Sequence, residues 1–121
     1  RGGRRPVALG PWGETGAARH LRRMGYKILD RNVRLGRNEI DIIAQDRDTI
    51  VFVEVRTRGT LDDVPPEDSI NEAKQRRLRQ AARHYIARHG ATDTYYRFDA
   101  VSVIGSGRGK PELRHFRDAF H

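Results

Sequence analysis

Residues 38–56 read NEIDIIAQDRDTIVFVEVR, two apolar runs joined by the polar stretch Asp46-Arg47-Asp48-Thr49. Glu39 to Gln45 and Ile50 to Arg56 have the Ile, Val and Phe content of strands, and the short polar join makes them a hairpin. In the second run, period-two alternation puts Phe52, Glu54 and Arg56 on one face and Val51, Val53 and Val55 on the other. In the first run, Glu39, Asp41 and Ile43 share a face. With Gln45 opposite Ile50 across the turn, Asp41 falls directly opposite Glu54.

Side chains directly opposed on one face have Cβ atoms ~5 Å apart, where two like charges destabilise the pair. Both acids are embedded in apolar strands, so desolvation adds to the cost. A shared proton, a nearby arginine or a divalent cation would offset it. Hard oxygen ligands suit Mg2+, or Mn2+ in its place, which takes one or two carboxylates together with waters and phosphate oxygens. Arg56, two residues after Glu54, points into the same site. A cation held by Asp41 and Glu54 can activate a water at a scissile phosphate while a basic side chain stabilises the developing charge. The alternative is a surface hairpin with both acids in solvent beside Arg56, and a one-residue slip of register separates the pair.

Working outward, residues 1–12 are rich in Gly, Pro and Arg and read as a flexible basic arm, leaving 13–121 as a single domain. Ala17, Ala18, Leu21 and Met24 fall at helical spacing from Thr15, and Gly25 supplies a stop. Glu14 shares the inward face of that helix, an unusual place for a carboxylate unless it caps or coordinates. Tyr26 to Asn32 reads as a strand and Thr57 to Asp68 as a loop. Ser69 to His89 reads as a helix opened by a Ser69-x-x-Glu72 capping box and stopped at Gly90. Tyr95 to Ile104 is a strand, Gly105 to Pro111 a loop, and Glu112 to Phe116 a short last strand. The order α-β-β-β-α-β-β is that of an α/β fold with a mixed sheet of about five strands flanked by helices.

The chain has 121 residues, with 24 Lys and Arg against 16 Asp and Glu. There are no cysteines, which excludes disulfides, thiolate metal sites and cysteine nucleophiles. No apolar run approaches the ~18 residues of a membrane span. A cytoplasmic chain is expected, although Arg1 stands where a methionine would and leaves a preceding targeting segment open. The charge is segregated: residues 1–37 carry ten basic and two acidic side chains, 38–73 three and ten, and 74–88 six and none. An acidic middle between basic flanks is what a polyanion surface around a carboxylate site looks like. A solvated, Arg-rich surface gives the same arithmetic.

In the long helix, Lys74, Leu78, Ala81 and Tyr85 follow core-facing spacing, so Lys74 reaches toward the end of the sheet that carries the acids. Arg76, Arg77, Arg79 and Arg83 point elsewhere, as phosphate contacts or as a solvated face. Arg34 and Arg37 join Lys74, Arg76 and Arg77 as candidate nucleic-acid contacts. Asp99, inside an apolar strand after Arg97, reads as a structural ion pair or buried acceptor. His84 and His89 share no helical face; His20, His115 and His121 read as isolated surface residues. Gly105-Ser-Gly-Arg-Gly-Lys110 lacks the first Gly and the last Ser or Thr of a phosphate loop. Aromatics mostly follow strand patterns, against a stacking platform for single strands.

Asn38-Glu-Ile-Asp41 followed by Phe52-Val-Glu-Val-Arg56 resembles the Asp…Glu-x-Lys core of restriction-endonuclease-like nucleases. More closely, the chain resembles the bacterial YraN-like family of uncharacterised proteins, through Gly13-Glu14, Ala18, Gly25-Tyr26, Arg31-Asn32, Lys74-Gln75, Leu78, Ala82, Arg97-Phe98-Asp99 and Asp118-Ala119-Phe120. The match runs in order over roughly residues 12–120. It implies a restriction-endonuclease-like fold similar to archaeal Holliday-junction resolvases, which are Mg2+-dependent homodimers. By that similarity Asp41 and Glu54 bind metal, Glu14 completes the acidic cluster and position 56 supplies the catalytic cation. Two residues depart from the pattern: Asn38 stands where the family usually has Gly, and Arg56 replaces the motif Lys. Arginine cannot be deprotonated, so any role needing a neutral amine is lost there. The leading expectation is a Mg2+-dependent endonuclease for DNA, structured or branched. The alternatives are a nucleic-acid-binding module without chemistry and a protein-interaction factor.

Overall fold

A computed structural model describes residues 9–59, 70–89 and 95–120. Its elements are α1 (Leu9–Arg23), β1 (Lys27–Leu35), β2 (Asn38–Asp46), β3 (Thr49–Arg58), α2 (Glu72–His89), β4 (Tyr95–Ile104) and β5 (Glu112–Phe120). The strands form one sheet in the order β1-β2-β3-β4-β5. All neighbours are antiparallel except β3 and β4, which α2 connects as a parallel pair. Two strands that run the same way need such a crossover. The expected order of elements and the mixed five-stranded α/β sheet flanked by helices are both present.

Each helix covers one face. Ala17, Ala18 and Leu21 of α1 pack on Ile42, Ala44, Val51, Val53, Val101 and Val103. On the other face, Leu78, Ala81, Ala82 and Tyr85 of α2 pack on Ile43, Phe52, Phe98, Ala100 and Phe120. Because β3 and β4 are covered on both sides, Val51, Phe52 and Val53 are all buried, as are residues Phe98 to Ile104 of β4.

Several element bounds differ from the sequence reading, for local reasons. Helix α1 begins at Leu9 rather than Thr15, so residues 9–12 belong to it and not to an arm; residues 1–8 lie outside the described residues. Pro11 is tolerated because the first-turn N–H groups have no helical partner in any case. At the other end Gly25 adopts φ +94°, and the N–H groups of Gly25 and Tyr26 donate to Arg22 and Leu21, closing a Schellman motif. Helix α2 starts at Glu72, and its cap is Asn71, whose Oδ1 accepts from the Lys74 N–H at 2.9 Å. Asn71 outcompetes the expected Ser69 because its side chain meets the third helical N–H directly. Ser69, Gly90, the 60–68 loop and His121 lie outside the described residues. Strand β1 continues through Leu35 and β5 through Phe120, both longer than their apolar patterns, because each carries an irregularity that resets the alternation.

The β5 irregularity builds the most buried charge among the described residues. Opposite Asp99 the strand bulges, Asp118 takes φ +55°, and its N–H turns inward to donate to Asp99 Oδ1 at 3.0 Å. Asp99 has no solvent exposure. It also accepts from Arg97 Nε at 2.8 Å, from His115 Nε2 at 2.8 Å and from the Tyr26 hydroxyl at 3.4 Å. Burial alone would raise its carboxyl, but the hydrogen bonds from His115, Arg97 and the Asp118 N–H hold it down at about 2. An ionised Asp99 has no proton to give, so His115 carries one on Nε2 and faces His20 Nε2 through Nδ1, 3.2 Å away. His115 and His20 are therefore an interior pair between α1 and β5, not isolated surface residues. Asp99 is the buried acceptor and ion-pair partner expected of it.

Replacing Asp99 by Ala should cost about 3–5 kcal/mol, because the Arg97 guanidinium and His115 are left half-buried without their anion. Urea unfolding at neutral pH measures it. Since the folded carboxyl lies below its usual 3.8, the wild-type contribution is present above that pH and fades as the pH falls toward 2.

Candidate active site

Strands β2 and β3 pair from Asp46↔Thr49 through Gln45↔Ile50 to Ile42↔Val53, the register read from the turn length. One further step of that register would set Asp41 opposite Glu54, but the ladder ends before it. Asp41 Oδ2 instead accepts the Val55 N–H at 2.8 Å, so a side chain takes a backbone donor released where the strands part. The neighbouring strand is irregular at the same level. Asn32 of β1 has φ +52° and is skipped in the β1–β2 register between Arg31↔Ile42 and Val33↔Ile40. Ile40 packs on the α2 side while Ile42 packs on the α1 side, so alternation breaks at Asp41. Glu39, Asp41 and Ile43 therefore do not share one regular face, as simple period two would have it.

The environment of Asp41 is electrostatically unfavourable for a carboxylate. Burial first, then the charges of Glu54 and Glu14, push its carboxyl up to about 7, against the pull of the Val55 N–H and the Lys74 ammonium. Glu14 is brought close by α1 and leans on Arg31, with 3.8 Å between Oε1 and Nη2. The Arg31 Nε beside it is a buried donor with no hydrogen-bond partner. Lys74, on the first turn of α2 after the Asn71 cap, places Nζ 3.4 Å from Glu54 Oε2. The α1 approach that delivers Glu14 requires Gly13: a Cβ there would lie 2.1 Å from Thr57 Oγ1.

Glu54 opens into a cleft of about 290 Å³ whose other polar walls are Arg56, Arg58, Asn71, Lys74 and Arg77. The structure thus gathers Asp41, Glu54, Arg56 and Lys74, with Glu14 at the edge of the cluster. Arg77 also faces this cleft, although sequence spacing pointed it away; three residues after Lys74 it is the adjacent position on the helix surface. Arg76 does not line the cleft. Arg34 alternates with Val33 and Leu35, both packed on the α2 side, so it faces the other side of the sheet. Arg37 lies on the β1–β2 turn, beside a second cleft. Arg58 and the cap Asn71 were not singled out from sequence, and only the α2 start at Glu72 would have revealed the latter.

Among the described residues, no group of three or more histidine or acidic side chains is arranged to hold a metal ion. Two carboxylates of hard oxygen chemistry, one of them poorly compensated, remain. That donor set fits a Mg2+ ion, which usually takes one or two carboxylates from protein.

Residues 13–103 match the Uncharacterised protein family UPF0102. The chain belongs to that family. UPF0102 proteins of Syntrophotalea carbinolica and Geobacter metallireducens are 41% and 42% identical to it over 114 and 113 residues, spanning 94% and 93% of this chain and 92% of each relative. The UPF0102 protein of Chlorobium phaeobacteroides is 40% identical over 120 residues. Membership agrees with the YraN-like resemblance read from the motifs. Among solved structures, a chain of the EndoMS–dsDNA2 complex is similar at 18% identity with a TM-score of 0.47; the match spans 81% of this chain and 38% of that one. Among the described residues no helix is long and apolar enough to cross a membrane.

Two outcomes follow from this geometry. Gly13→Ala should destabilise by about 1–3 kcal/mol, the cost of forcing a methyl into a packed contact, and Thr57→Ala should recover part of it in a double-mutant cycle. For Asp41, a folded carboxyl above its usual 3.8 means that ionisation opposes folding. Without divalent cation, stability should therefore fall as the pH rises between about 4 and 7, and Asp41→Asn should flatten that fall in chemical denaturation at pH 5 and pH 8.

Proposed function

We propose that this chain is a divalent-cation-dependent endonuclease that hydrolyses phosphodiester bonds in DNA and works in the cytoplasm. The observation that carries the reading is the juxtaposition of Asp41 and Glu54 where β2 and β3 part, with Glu54 opening into a cleft whose other charged walls are basic. Asp41 and Glu54 would hold Mg2+ or Mn2+, which when bound neutralises phosphate charge and acidifies a water.

The chain's own residues supply the rest. The Lys74 ammonium, 3.4 Å from Glu54, brings a compact lysine charge from α2 to the side of the site where Arg56 stands in place of the motif lysine. Arg56 presents a planar fork to phosphoryl oxygens and stabilises charge that grows on them during attack. Arg58 and Arg77 widen the grip on the backbone. Glu14 holds Arg31 at the edge of the cluster and adds to the negative potential that draws a cation to Asp41. Branched or structured DNA as substrate, and a homodimer to engage it, are the finer parts of the proposal and are supported by the resemblance to junction resolvases.

The second reading is a binding module with the same surface and no chemistry, favoured by Arg56. Incubation with labelled forks, four-way junctions and duplexes in Mg2+ or Mn2+ separates the two. Wild type should cut at least one substrate, and Glu54→Gln should lower the rate by at least ~10²-fold, the scale of losing an essential charge-stabilising group. Cleavage unchanged in Glu54→Gln would mark a contaminating nuclease. Binding without cleavage, equal in wild type and Asp41→Asn, would leave the module.

A further inference from the structure

The Glu54 cleft does not end at Arg77. The same side chain lines a second, larger cleft of about 670 Å³, together with Gly36, Arg37, Gln80, Arg83 and His84. No acidic residue is among its described walls. Its construction is specific. Gly36, at φ +67°, lies against the His84 ring, where a Cβ would come within 3.3 Å of Cε1. Asn38, the residue that departs from the family's usual glycine, donates from Nδ2 to Gln80 Oε1 at 3.4 Å. These two contacts seat the β1–β2 turn on α2 and set Arg37 across from Arg83.

The geometry points to a track in which one strand of nucleic acid runs from the Glu54 cleft over Arg77 into the Arg37–Arg83 cleft. The inference rests on the nuclease reading for what happens at the Glu54 end. Lys74 and Arg83 are nine residues apart on α2, about 14 Å along its axis. At 3.4 Å per nucleotide that is about four nucleotides of a strand to one side of the acids. Other basic surfaces do not offer this continuity. The cleft of Arg19, Arg23 and Lys110 lies on the α1 side. The cleft of Arg47, Arg97 and Arg117 includes Asp46, which already engages Arg97 and Arg117.

The test compares two variants with the same loss of charge, Arg37→Gln/Arg83→Gln in the track and Arg19→Gln/Arg23→Gln outside it. Both are made in the Glu54→Gln background so that the probe survives. Affinity for a labelled single strand and for the matching duplex is measured over a range of salt. The track variant should bind at least ~10-fold more weakly near 0.1 M salt. Its log–log salt slope should be shallower by about 1.4 on the single strand and 1.8 on the duplex, two phosphate contacts' worth. The outside variant should keep the parental slope. Equal losses in the two variants, or a parental slope in the track variant, would overturn the track, as would absence of any nucleic-acid binding at low salt. If wild type cleaves while the track variant binds as the outside one does, the track fails and the nuclease reading survives. If nothing is cleaved but the track variant alone loses binding, the nuclease reading fails and the track survives.

Discussion

Asp99 and Asp41 are the same residue type in the same sheet, and the protein treats them oppositely. Asp99 is fully enclosed, yet surrounded by donors that hold its charge in place. Through it β4 is tied to β5, to Tyr26 at the end of α1 and, by way of Arg97, to Asp46 of β2. A buried anion of this kind is tolerable only when every lone pair is answered. It therefore fixes the register of β5, the entry of the chain into β1 and the seat of the α1 C-terminus. Those constraints seat α1 on its side of the sheet, and α1 in turn holds Glu14 near the acids.

Asp41 receives no such satisfaction. One backbone N–H and a lysine at some distance face two other carboxylates, so its ionised form is under strain. A structure that satisfies one aspartate and leaves another exposed to like charge places its electrostatic stress beside Glu54, the acid that opens into the cleft. Perturbed carboxylates with named partners in a cleft are commonly functional. The sheet alone would not say this, since one fold hosts many activities.

Much of this was legible in the sequence. The hairpin register followed from turn length and the β-rich runs. The βαβ unit followed from a long helix between two apolar strands, while the ladder that was to set Asp41 opposite Glu54 stops at Ile42↔Val53. What escaped depended on tertiary contacts. The break in alternation at Asp41 stands beside a left-handed Asn32 in the next strand, and no periodicity in β2 records it. His20 and His115 are 95 residues apart, and only the packing of α1 over the face that β5 shares with Val101 brings them together. Asn71 caps α2 where the Ser-x-x-Glu pattern pointed two residues earlier. Arg77 was misdirected because residues were assigned to faces by the core stripe, whereas cleft walls lie at its margins.

The two strands that end the sheet, β1 and β5, each contain one non-glycine residue in the left-handed region, Asn32 and Asp118. An edge strand offers a row of free N–H and C=O groups to any other chain, and flat edges invite stacking into aggregates. A bulge twists the edge and spoils that template. Irregularities of this kind interrupt both margins of the sheet, between Ile28 and Asp30 in β1 and opposite Asp99 in β5. Neither margin therefore presents a flat template to a further strand.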